Sequence, residues 1–378
     1  KQFFVGPHAA SSRTWPIPLH STSDQLPALM DQSSLKLGYA APSAPRLNAE
    51  TTAHFIAQYD SAIFEQHIKD FASFSAVDRL TFIQDQILLS QAGEQSTAQL
   101  IPLIKNLNEE PSEAVWTSIS IAINELKRFV DNDEVAEKQL RSLVRALTQY
   151  HYDRLGWDAS TEESENDTKL RSTIISLSLY GENSDAQAEA TRRYESQAIE
   201  ELDKELRVTI LAYAVREHIS DDIVDVLLAA HNKTASSELQ EDLAAALTST
   251  RSPEVIARLI SLLQDASVVR PQDFTHWYVW LLRNRFGREK TWQWTLDTWP
   301  WIEATFKGDS HYDMFPRYIA GSLNTQKQLE EFTAFFAEKR SQKSLERTID
   351  MGITELQGRL ELLARDTPLV IAALANQQ

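Results

Sequence analysis

Apolar residues recur at three- and four-residue steps along most of this chain. Between Arg79 and Ala92 they fall at Leu80, Ile83, Ile87 and Leu88, and Gly93 closes the segment. Leu100, Ile104 and Leu107 carry a second segment. Pro111-Ser112 opens a third, with Val115, Ile119, Ala122, Leu126 and Phe129. That spacing puts each set on one stripe of an α-helix. Ser112 is placed to cap the third helix, and Gly93 to take the left-handed turn that ends the first. A helix cannot bury its own stripe, so the pattern predicts helices stacked on their neighbours.

The same reading continues to the end of the chain. Asp133 is a cap ahead of Ala136, Leu140, Leu143, Leu147 and Tyr150. Trp157–Thr168 is acidic and polar and reads as a solvated loop. Leu170, Ile174 and Leu177 resume the pattern until Gly181. Ser220 and Ser252 are cap candidates, and Pro253 sits at the favoured first helical position. Thr325-x-x-Gln328 has capping-box spacing ahead of Leu329, Phe332 and Phe336. Leu345, Ile349, Leu356, Leu360 and Leu363 line a last long helix, and Thr367-Pro368 is expected to start a short terminal one. Connections are short and no strict repeat period exists, so the prediction is a degenerate array of stacked hairpins.

The first sixty residues read differently. Two prolines in Trp15-Pro16-Ile17-Pro18-Leu19 remove donors and force extended neighbours. With Phe3-Phe4-Val5, Leu35–Tyr39 and His54–Tyr59, this makes four short strand candidates, enough for a small antiparallel sheet or half of a sandwich. The strand-like opening beside Lys1 reads as part of a longer protein. The expected division is residues 1–60 in strands and 61–378 in helices.

At 378 residues, 42 % apolar and 24 % charged, the chain is long enough for two or three cores. Its 54 acidic against 37 basic residues give a formal charge of −17, which argues against nucleic acid or an anionic membrane as partner. With no cysteine there is no disulfide framework and no thiolate metal site, which suits a reducing cytosol. No apolar run approaches transmembrane length.

Candidate chemistry is sparse. None of the nine histidines has His-Glu-x-x-His spacing, and there is no nucleophile elbow, phosphate loop or dinucleotide fingerprint. Glu217-His218 reads as helix surface. The Glu109-Glu110 pair reads as favouring the next helix N-terminus or as simply solvated. Six of the nine tryptophans lie between Phe274 and Trp301, interleaved with Arg283, Arg285, Arg288 and Lys290. They form either an aromatic core with guanidinium stacking or a base-stacking platform, and the net charge favours the core. Lys127-Arg128 closes a helix, where a basic pair complements the dipole or meets a ligand. No catalytic or metal-binding residue is assigned.

Several motifs, taken in order, are similar to the C-terminal region of the aminopeptidase N family of zinc metallopeptidases. Trp15-x-Ile17-Pro18-Leu19 resembles a strand of that family's sandwich. Arg46-Leu47-Asn48 followed by Tyr59-Asp60 resembles its Asn…Gly-Tyr-Tyr-Arg-Val-x-Tyr-Asp segment, with Ala53 and Ile56 standing for the glycine and the arginine. Asp78-Arg79-Leu80…Ile83-Gln84-Asp85 resembles the Asp-Arg-Ala-x-Leu-Ile-Asn-Asp helix, and Glu110 with Trp116 the Glu-x-x-x-x-x-Trp spacing. Arg283-Asn284…Gly287-Arg288, Thr291-Trp292 and Thr298-Trp299 look most like bacterial cytosolic members.

The resemblance spans nearly the whole chain and implies a small antiparallel β-sandwich followed by an irregular HEAT-like α-helical superhelix. It also implies a non-catalytic region that caps the zinc site and shapes peptide access. The zinc belongs to an upstream catalytic domain of the same polypeptide, with no cofactor in this chain, which is expected to be inactive alone. Peptides are the implied ligands and the cytoplasm the implied location. Some members place a lysine at the end of the third helix to meet the peptide carboxylate. Lys127 matches that position, and Arg251 falls near a second basic one. The alternative is a stand-alone helical scaffold that binds proteins on a concave face.

Overall fold

A computed structural model of the chain describes residues 14–36, 44–220, 222–309 and 311–376. Among them are sixteen α-helices and one two-stranded sheet. β1 (Ile17–Pro18) pairs antiparallel with β2 (Leu29–Met30), Ile17 opposite Met30. The proline-flanked strand is therefore present, but its partner is a stretch the sequence pattern did not flag. Phe3-Phe4-Val5 lies outside the described residues, as does most of Leu35–Tyr39.

His54–Tyr59 is not a strand: it joins no ladder, and side-chain hydrogen bonds hold this stretch in place instead. Asn48, left-handed at φ 56°, donates from Nδ2 to the Ala53 carbonyl and accepts the Ala53 amide, both at 2.8 Å. The Ala57 amide donates to Asp85 at 3.0 Å. The Leu47 amide donates to the Tyr59 hydroxyl at 2.9 Å, and burial pushes that hydroxyl's pKa up to about 12.

The chain forms two compact units, residues 1–181 with 362–378, and residues 182–361. The first holds α1 (Ser61–Asp70), α2 (Ala76–Gln91), α3 (Leu100–Ile104), α4 (Glu113–Val130), α5 (Glu134–Leu155) and α6 (Glu165–Tyr180). α4 buries every residue of its expected stripe, with Trp116 and Ile123 beside them. In α2 the pattern is wider than expected. Leu88 is 45 % exposed, whereas Phe82 and Leu89 are buried. The reason is a second stripe, Asp78, Phe82, Asp85 and Leu89, whose carboxylates face the 46–57 segment and are buried with it.

The second unit holds α7 (Ser184–Ser196), α8 (Arg207–Glu217), α9 (Ile223–Lys233), α10 (Ser237–Thr248), α11 (Pro253–Leu262), α12 (Phe274–Arg283), α13 (Arg288–Phe306), α14 (Phe315–Ser322) and α15 (Gln326–Phe336). α16 (Lys343–Ala375) contributes its first part to this unit and its last turns to the other. Trp277, Trp292 and Trp299 are buried in the core, and Trp280, Trp294 and Trp301 are half-buried at its edge.

Ends and loops depart from expectation at four places. Ser112 makes no side-chain cap; Asn166 accepts the Glu113 amide at 2.9 Å in its stead. Ser220 does not cap α9, its hydroxyl lying 3.2 Å from that of Tyr194. Gly181 ends α6 as expected, and its need there is space, since a Cβ would meet the Arg145 backbone nitrogen at 2.8 Å. Pro368 does not begin a new helix but sits inside α16, where the Thr367 hydroxyl donates to the Leu363 carbonyl at 2.7 Å. The acidic loop after α5 is partly buried. Trp157 packs inward, and Glu163 forms a buried ion pair with Arg171.

Candidate functional site

Lys127 lies in the last turn of α4, beside the buried stripe. Half-buried, its Nζ donates to Asn124 Oδ1 at 2.9 Å and sits 3.9 Å from the centre of the Tyr180 ring. Arg141 holds the same tyrosine. Its guanidinium carbon is 4.8 Å from the ring centre, and Nη1 donates to the Tyr180 carbonyl at 3.0 Å. Glu137 pairs with Arg141 at 2.6 Å. A cation near an aromatic face gains roughly 0.5–2 kcal/mol, more as water is excluded. The lysine therefore has a defined seat against Asn124 and Tyr180. Asn124 was within reach of sequence reasoning, three residues before Lys127 on one helix face. Tyr180 was not, because it comes from α6.

Arg251 belongs to the second unit, in the turn between α10 and α11. Its Nη1 is 3.3 Å from Glu217 Oε1, with both side chains 40 % exposed. Burial first, then the Glu217 carboxylate, pushes the nearby Tyr213 hydroxyl upward in pKa. The adjacent His218 is exposed and left-handed at φ 47°, ending α8. Glu217-His218 is thus helix-terminal surface, as its spacing suggested, and its glutamate faces Arg251.

The residues that carry the family resemblance form a network of ties in the first unit. Arg46 Nη2 meets Asp78 Oδ2 at 2.7 Å and lies over the Phe74 ring at 4.2 Å. Asp78 Oδ1 also accepts the Glu50 amide at 2.7 Å. Arg79 Nε is 2.6 Å from Glu110, which accepts the Ser112 amide at 2.9 Å. The Glu110 carbonyl accepts Trp116 Nε1 at 2.7 Å. Glu110 is therefore buried and paired rather than solvated. Asp60 caps α1 through the Ile63 amide at 3.0 Å. These side chains hold the 46–60 segment and the start of α4 against α2, which is architecture rather than chemistry.

A family model described as ERAP1-like C-terminal domain matches residues 46–358, a span that opens on Arg46 itself. The chain belongs to this family. It is the C-terminal part of aminopeptidase N family members. Aminopeptidase N of Lactococcus lactis subsp. cremoris (strain MG1363) is 31 % identical over 385 residues, covering 100 % of this chain and 46 % of that protein. Aminopeptidase N of Lactobacillus helveticus is 30 % identical over 384 residues, covering 100 % of this chain and 45 % of that protein. Glutamyl aminopeptidase of Bos taurus is 23 % identical over 348 residues, or 87 % of this chain and 36 % of that protein. The chain spans less than half the length of these relatives. Among the described residues no helix is long and apolar enough to cross a membrane, and no three acidic or histidine side chains are grouped to hold a metal ion.

Proposed function

We propose that this chain is the non-catalytic C-terminal region of a zinc aminopeptidase that removes N-terminal residues from peptides. In this reading it caps the active site and shapes peptide access. Family membership over residues 46–358 carries the proposal, with relatives named Aminopeptidase N matched across 100 % of this chain. The zinc would be held upstream, and no step of the reaction is assigned to residues here. The reading keeps an irregular HEAT-like superhelix over 61–378 and a small β-sandwich over 1–60. Change of backbone habit at Ser61, where the first α-helix begins, supports that boundary. Peptides and the upstream catalytic domain are the partners, in the cytoplasm, and the charge of −17 speaks against nucleic acid or an anionic membrane.

Lys127 and Arg251 are the side chains proposed to meet the far end of the peptide. An ammonium seated by Asn124 and Tyr180 suits a terminal carboxylate, and a local cation in an acidic protein discriminates for it. In the whole polypeptide, Lys127→Ala should weaken processing of free-acid peptides by about 1–3 kcal/mol if the contact is desolvated, or about 0–1 kcal/mol if water remains. Amidated peptides should be nearly unaffected. Equal losses on both substrates, or no loss on either, would remove Lys127 from the site.

A further inference from the structure

We propose that the groove between α12 and α14 binds an organic carboxylate attached to a flat apolar group. The site lies in the second unit and is independent of the reading of Lys127 and Arg251, so it stands or falls without it. His276, Trp280 and Arg283 follow one another at steps of four and three on one stripe of α12. Gln272 and Thr275 extend the stripe at its start, and Tyr318 faces it from α14. With Val279 and His311 they line an open depression of about 270 Å³, just below the usual size of a ligand site.

Among the described residues, the side chains of Gln272, Thr275, His276, Arg283 and Tyr318 make no hydrogen bond or ion pair with the protein. A neighbouring depression of about 400 Å³, sharing Trp280 and Arg283, shows the contrast. There Asn284 Nδ2 donates to the Thr248 and Thr250 carbonyls at 2.8 and 2.7 Å. Ser249 donates to the Ala246 carbonyl at 2.7 Å, and Thr248 to that of Ala244 at 2.8 Å. Those groups serve the fold. On the other side of Arg283, Gln272, His276 and Arg283 are solvent-exposed and so open to a ligand, with half-buried Thr275 and Tyr318 beside them.

What they would meet follows from their chemistry. Arg283 presents a planar fork of N–H donors that matches a carboxylate. Thr275, Gln272 and Tyr318 add neutral donors. Two acids beside the groove already have partners, Asp273 with Arg270 at 2.6 Å and Asp309 with His311 at 3.0 Å. Half-buried Trp280 stacks on His276, ring centres 5.4 Å apart and planes 21° from parallel. The two rings form a flat wall for an apolar body next to the cation.

Isothermal titration of the chain with N-acetyl-L-tryptophan, its amide and inorganic phosphate tests this. N-acetyl-L-tryptophan should bind saturably, at least about tenfold more tightly than the amide, which lacks the charge, or phosphate, which lacks the apolar body. Arg283→Gln and Trp280→Ala should each weaken it by about tenfold or more, and Arg283→Lys by less, because the charge stays while the fork is lost. Circular dichroism matched to the parent protein confirms that the variants are folded. The proposal is overturned by equal binding of acid and amide, by phosphate binding as tightly, by unchanged affinity in Arg283→Gln, or by no saturable heat up to about 10 mM ligand.

Discussion

Thr97 and Asp366 stand 269 positions apart in the chain, and one carboxylate oxygen joins them. Asp366 Oδ2 accepts the Thr97 amide at 2.7 Å and the Thr97 hydroxyl at 2.8 Å. Arg365 reinforces the clasp, pairing with Asp366 at 2.7 Å and donating to the Gly93 and Gln95 carbonyls. Gly93, at φ +77°, turns its carbonyl there because it ends α2 in a left-handed conformation. Val370 and Leu374 of α16 then enter the same apolar cluster as Trp116 and Leu126. The last turns of the chain are thus part of the first unit's core.

Asp366 should matter most in acid. Burial alone would raise its pKa, but the Arg365 guanidinium and the Thr97 hydrogen bonds outweigh burial and hold it below the usual carboxylate range. A depressed carboxylate contributes stability above its unfolded value, near about 3.9, and loses it as pH falls through the folded value. Asp366→Asn should cost about 1–3 kcal/mol at pH 7 in urea unfolding, and the gap to the parent protein should narrow as pH falls below the ordinary aspartate range. A cost that does not change with pH would refute the charge argument.

Asp85 should show the opposite sign. Burial pushes its carboxyl up to about 6, with the Ala57 amide opposing. A raised carboxyl pKa favours the folded state at low pH, and that contribution is lost as pH rises through about 6. Asp85→Asn keeps an acceptor for the Ala57 amide and removes the buried charge. Relative to the parent, the variant should gain up to about 3 kcal/mol between pH 4 and pH 7. Parallel stability curves across that interval would show that Asp85 titrates normally.

Much of this architecture was legible in the chain. The α4 stripe is buried as its spacing requires, and Asp133, Ser252 and Thr325 cap helices as their positions suggest. The illegible parts share one cause. Asn166 capping α4, Asp85 holding Ala57 and Asp366 holding Thr97 are polar contacts between distant segments, and no local periodicity encodes them. The same holds at Lys127, whose place near a helix end was readable while its Tyr180 partner was not. The apolar spacing of α2 gave no place to its carboxylates, yet Asp78 and Asp85 are buried against backbone.

Glu110 and Glu109 offer a matched pair. Glu110 is buried, pairing with an Arg79 side chain that is 12 % exposed, whereas Glu109 is on the surface. Glu110→Gln should leave a buried guanidinium short of its counter-charge and cost about 3–5 kcal/mol. Glu109→Gln should change stability by less than about 0.5 kcal/mol. Chemical denaturation followed by far-ultraviolet circular dichroism separates them; similar costs at both positions would contradict the burial argument.

Two glycines make the last test, because one lacks room for a methyl group and the other does not. A Cβ on Gly181 would meet the Arg145 backbone nitrogen at 2.8 Å and its Cα at 3.0 Å. Backbone atoms inside α5 cannot step aside without breaking helix hydrogen bonds, so Gly181→Ala must push α6 away from α5. Overpacking of this kind costs about 1–3 kcal/mol. Gly358 lies inside α16 with nothing within 4 Å of the same added atom. Gly358→Ala removes backbone freedom from the unfolded chain and should stabilise by about 0.4–1 kcal/mol. Thermal unfolding of the two variants should therefore move in opposite directions from the parent. If Gly181→Ala were neutral, the close approach of α5 and α6 at this point would be wrong.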